Sequence, residues 1–126
     1  MNMQRDGVLV ALIACTLATL VHHVHNAEFL DAYPNMPKWL SPELVYLAWL
    51  GATAVGIGGY LLLRAGARVT GACALLAYAA YAVDGLLHYL RAPVSDHTPT
   101  MNGTIWLEAT TGLLLIVAVL RRMVGR

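Results

Sequence analysis

Apolar residues run along this chain in four long blocks, residues 7–24, 43–63, 69–90 and 104–120, and charge gathers at the block ends. A helix crosses roughly 30 Å of hydrocarbon with about 20 apolar residues, so each block predicts one membrane span. Boundary chemistry agrees. Ser41-Pro42-Glu43 is a helix-start signal, the serine capping and the proline filling the first turn. Arg64 closes the second block, Asn102-Gly103-Thr104 opens the fourth, and Arg121-Arg122 stops it. The links are short: 26–42, rich in Pro and Asn; a tight turn at 64–68; and 91–103, with two prolines. Short links make successive helices antiparallel neighbours. The predicted fold is all-α: one domain over 1–126, an up-down bundle of four transmembrane helices whose backbone polar groups pair within each helix.

Composition supports a bilayer setting. The chain is 59% apolar and only 12% charged, about half the charge of a water-soluble domain. A formal charge of +1 argues against nucleic acid, whose binding needs a concentrated basic face. Gly51, Gly56, Gly58 and Gly59 on the second helix, with Gly71, Ala72, Ala79 and Ala80 on the third, offer small surfaces for close helix approach. Cys15 and Cys73, with no C-x-x-C spacing, read as buried structural thiols.

The charges separate into two camps. With four crossings, Arg5, Arg64, Arg68, Arg121, Arg122 and Arg126, six of the eight basic residues, share the side of the termini. The positive-inside rule makes that side cytoplasmic and predicts a multi-pass protein of the inner membrane. Arg5 before an apolar stretch also resembles a secretory signal, but no small-x-small cleavage pattern follows, and polar residues continue in helical register. Six of the seven acids, all but Asp6, and all five histidines fall in the outer half. Topology rules barely constrain acids and say nothing of histidine, so another demand has gathered them.

Some of these groups lie within spans. Taking helix ends at Leu90 and Thr104, Asp84 sits about 9 Å and Glu108 about 6 Å inside the membrane boundary. Ionisable groups at such depth are costly unless paired or hydrated, and mark a site facing the bundle interior. His22, His25 and Asn26 share a face of the first helix while His23 points away; Asp84 and His88, four apart, stack on the third beside Tyr81. Thr104, Glu108 and Thr111 stripe the fourth helix, and Glu43 opens the second.

Imidazoles with carboxylates are the ligand set of zinc, iron or copper. His22, His25, Glu28 and His88 are candidate ligands, and His97 on the outer loop could close the site. Asp84, Glu108 and Glu43 are candidate catalytic acids or bases, able to exchange protons with a neighbouring imidazole. Haem b between His22 or His25 and His88 is a further alternative. Access from the lipid side points to an apolar or lipid-like substrate or to membrane lipid itself. A non-catalytic accessory or metal-handling subunit of a larger membrane complex, or a homo-oligomer, is the competing reading.

At His25-Asn26-Ala27-Glu28-Phe29 the chain resembles the HXXEE family of small membrane proteins, with phenylalanine in place of the second glutamate. Its architecture, with His25 and Glu28 closing the first helix, Glu43 opening the second and Asp84 in the third, resembles the EXPERA domain of sterol isomerases. That resemblance implies a sterol-like pocket lined by these four residues, in which Glu or Asp moves protons.

Overall fold

The computed structural model describes residues 3–125, with side chains from residue 7 onward; Arg5, Asp6 and Arg126, counted in the charge asymmetry, lie outside the described side chains. Four long helical stretches follow one another: α1 (Met3–Glu28), α2 (Pro42–Arg64), α3 (Arg68–Val83) continued through a 3₁₀ turn (Asp84–Leu87) into the short α4 (His88–Arg91), and α5 (Pro99–Val124). Gly7–Glu28, Pro42–Arg64, Arg68–Arg91 and Pro99–Val124 are each long and apolar enough to cross a membrane. No strand occurs among the described residues.

Local chemistry sets the boundaries. Ser41 Oγ accepts from the Leu44 amide at 3.4 Å, as the start signal predicts. The α2–α3 turn ends α2 in a Schellman motif: the Ala67 amide reaches Leu62 O at 3.0 Å and the Gly66 amide reaches Leu63 O at 3.4 Å. Gly66 takes the left-handed conformation this motif needs, with φ +95.

Three expectations shift. The last helix starts at Pro99, capped by Thr98, whose Oγ1 accepts from the Met101 amide at 3.2 Å. Thr98-Pro99 is the same cap-and-proline signal as Ser41-Pro42, and it outweighs Asn102-Gly103. Glu108 is consequently nine residues into its helix, about 14 Å from its start. The first helix continues to Glu28, because its polar last turns keep their helical bonds. The third span is not one regular helix: it tightens to 3₁₀ pitch at Asp84–Leu87, which breaks the four-residue register assumed for Asp84 and His88.

The helices pack in a ring, α1 against α2 and α5, and α3 against α2 and α5. Glycines set the closest approach. At Gly71 an added Cβ would stand 2.6 Å from Leu63 N and 2.7 Å from Gly59 O, while Gly56 makes room for the Tyr78 ring. Among the glycines of α2, Gly51 and Gly58 have open space instead. Near the α2–α3 turn the interior is dry: Val8, Leu12, Cys15, Leu75, Leu115 and Val119 are buried together. Cys15 matches the expectation of a buried thiol, whereas Cys73 is exposed, on a face of α3 turned away from its neighbours. Ile13, Leu17, Leu47, Leu61 and Leu113 are exposed and belong to an apolar outer belt.

The opposite end of the bundle, which carries residues 29–41 and 92–98, is built differently. There α2 parts from α4, and a cleft of about 290 Å³ opens between Leu44, Val45 and Ala48 on one side and Leu87 and His88 on the other.

Candidate functional site

Glu108 forms the floor of this cleft. It is 1% exposed, held on α5 one turn beyond Thr104. A carboxyl group buried this deeply is costly without partners, and α1 supplies them. His22 Nε2 lies 3.4 Å from Glu108 Oε2, and His23 Nδ1 lies 3.7 Å from Oε1.

The hydrogen bonds assign the imidazole tautomers. Thr104 donates its hydroxyl to Met101 O at 3.0 Å, so in its 3.1 Å contact with His22 Nδ1 the hydroxyl oxygen accepts. His22 therefore carries a proton on Nδ1 and, when neutral, turns a bare Nε2 toward Glu108 Oε2. The two atoms face each other at 3.4 Å with no hydrogen bond formed between them. His23 is fixed in the same way: Nδ1 donates to Thr19 O at 2.7 Å and Nε2 takes the Tyr81 hydroxyl at 2.6 Å. The two rings meet edge to face, 5.5 Å between centroids.

His88 arrives from α4. Its ring centroid is 5.3 Å from that of His22, and its Nε2 meets Asn26 Nδ2 at 3.4 Å. Tyr33 roofs the cluster from the loop after α1, 5.2 Å from the His88 ring and hydrogen-bonded to His25 Nδ1 at 2.9 Å. Burial pushes the Tyr33 phenol up to about 12, so it stays neutral and serves as a donor. Across the loops, Asn35 Nδ2 donates to Arg91 O at 2.8 Å and ties this roof to α4.

Of the candidates read from the sequence, His22, His88 and Glu108 come together. Asp84 lines the same cleft but is exposed at its rim, since the 3₁₀ turn rotates it away from His88. His97 is buried behind His88, at a centroid distance of 6.1 Å, with Nδ1 donating to Pro93 O at 3.0 Å. His25 faces Tyr33 instead of the floor. Glu28 is exposed and accepts the Tyr46 hydroxyl at 2.7 Å, and Glu43 stands exposed in the first turn of α2. The predicted ligands His22, His25, Glu28, His88 and His97 thus do not form one set. Among the described residues no three His, Cys, Asp or Glu side chains are arranged to hold a metal ion.

His23, Tyr33 and Gly85 join the site without having been read as parts of it. A helical wheel turns His23 about 100° from His22, yet both reach Glu108, one from each side of its carboxyl group. The His-His doublet at a buried helix end was the available signal. Gly85 packs on Glu108 itself: a Cβ there would lie 2.6 Å from Oε2. Gly85→Ala should push the carboxyl group off His22 while leaving every polar group in place. We expect it to melt roughly 3–10 °C below the wild type, as a buried carboxyl group parted from its neighbour should, which a thermal melt would check. Comparison with known protein families, curated proteins and solved structures finds no match for this chain.

Proposed function

We propose that this chain is a membrane enzyme that moves protons on an apolar substrate, with Glu108 as the group that gives or takes the proton and His22 as its partner. The observation that carries the reading is the buried 3.4 Å approach of Glu108 Oε2 to His22 Nε2, on the floor of a cleft whose mouth is lined by exposed leucines. A matched acid and base at hydrogen-bond reach of a bound substrate speed proton transfer by roughly 10²–10⁴-fold. His23, braced by Thr19 and Tyr81, packs beside the second carboxyl oxygen at 3.7 Å. An isomerisation fits such a site, because one proton is delivered and another removed, and the reaction balances in protons alone. We place the loop-bearing end on the extracytoplasmic side of the inner membrane, following the excess of arginine at the other end.

The test uses the purified chain in nanodiscs made from the lipids of its own membrane, incubated in deuterated buffer. Mass spectrometry of the extracted apolar compounds should find deuterium entering carbon positions of one compound class. Glu108→Gln, which keeps size and hydrogen bonding but not acidity, should lower that incorporation at least about 100-fold. Equal labelling with wild type, Glu108→Gln and empty nanodiscs would overturn the reading.

A further inference from the structure

The hydrogen-bonding groups left open in the cleft define the head group it accepts. Asn26 and His88 are 5% and 9% exposed. Their one mutual contact, Asn26 Nδ2 to His88 Nε2, leaves Asn26 Oδ1 and His88 Nδ1 buried without a partner. With the amide nitrogen donating to Nε2, the neutral ring bears its proton on Nδ1, so one acceptor and one donor stand open. Turning the amide over exchanges the two and again leaves one of each, Nδ1 accepting and Nδ2 donating. Both assignments therefore ask for a group that gives and accepts together. A hydroxyl does so. An ether, a ketone or an ionised carboxylate only accepts, and an ammonium only gives.

The mouth of the cleft selects the rest of the molecule. Leu44 and Leu87, 41% and 52% exposed, flank it, and Leu40 and Val45 lie just inside. Both flanking leucines belong to segments apolar enough to span a membrane, near the ends of those segments and beside the exposed Asp84 and Arg91, so the mouth suits a molecule lying where lipid meets water. We infer that the cleft is a binding site for a hydroxyl-headed apolar molecule, a long-chain or isoprenoid alcohol. Asn26 and His88 hold its hydroxyl, and its body leaves between Leu44 and Leu87. This deepens the reading of the cleft as a reaction site by naming the substrate class.

The full chain in nanodiscs is exposed to a long-chain alcohol bearing a diazirine on its tail, irradiated, and mapped by mass spectrometry. Labelling should concentrate near Leu44, Val45 and Leu87. Unlabelled dodecanol should displace the probe at least about tenfold better than dodecane, dodecyl methyl ether or dodecylamine, since each of these leaves a buried donor or acceptor unpaired. Asn26→Leu should weaken labelling by a similar factor; if that variant does not fold, the competition series on the wild type decides alone. Competition blind to the head group, or labelling spread evenly over Ile13, Leu17 and Leu113, overturns the inference and leaves water as the partner of the open pair. Glu108→Gln should keep the labelling. Alcohol-selective labelling without deuterium transfer would sustain the binding site and sink the reaction, and deuterium transfer without alcohol preference would do the reverse.

Discussion

Changing His22 to phenylalanine and Glu108 to methionine together should cost the folded protein less than changing either one alone. In His22→Phe the carboxyl group loses the ring nitrogen 3.4 Å away, and nothing else in the floor reaches Oε2. In Glu108→Met the bare Nε2 of His22 is left facing a thioether. A buried polar group deprived of its partner costs about 1–3 kcal/mol, so each single variant should melt roughly 3–10 °C lower in detergent, followed by circular dichroism. The double variant replaces both members with apolar groups of similar shape, an exchange that is often neutral or stabilising for buried polar pairs. The hydroxyl of Thr104 keeps its bond to Met101 O in every case. We therefore expect the double variant to melt near or above the wild type, a coupling of about 2 kcal/mol or more. His25→Phe combined with Glu108→Met is the control. His25 bonds Tyr33, so those two changes should simply add. Additive behaviour of the His22 pair would show that the two side chains are not partners.

Alanine at Gly71 and alanine at Gly58 should move stability in opposite directions. At Gly71 the new methyl meets backbone, Leu63 N at 2.6 Å and Gly59 O at 2.7 Å, and backbone cannot swing aside as a side-chain tip can. The α2–α3 pair must separate, and because dispersion between closely packed helices is what holds them in lipid, the loss should reach about 3 kcal/mol. At Gly58 a Cβ meets nothing within 4 Å, and removing a helical glycine should yield about 0.5–1 kcal/mol. Thermal melts of the two variants side by side test this. Equal melting points would mean that α2 and α3 do not touch at these glycines.

The number, order and approximate limits of the long helices were legible because each is one long apolar run bounded by charges and prolines. The polar end was legible in composition but not in detail. Helical phase carried His22 and Glu108 correctly, since both lie in regular helix well away from any break. It failed for Asp84, where four residues of tighter pitch turn the chain, and a one-residue change in phase moves a side chain by about 100°. His25 and Glu28 stay in register with His22 but lie beyond the reach of α5, so sharing a face did not mean sharing a partner. Tyr33 was beyond sequence reasoning altogether. A tyrosine in a loop near a membrane boundary ordinarily suggests an interfacial anchor, and only the fold of the loop back over His88 buries it.

The dry layer beneath the site has a physiological consequence. Below the histidines a polar trail runs through Thr19, Tyr78 and Thr16, and it stops where Val8, Leu12, Leu75, Leu115 and Val119 close ranks. Along α1, Val8 to Cys15 is roughly 10 Å of chain without a side-chain oxygen or nitrogen to pass a proton on. A proton reaching His22 or His23 would come and go at the loop-bearing end. A bundle built this way, set in a bilayer, would keep the protons on its two sides apart.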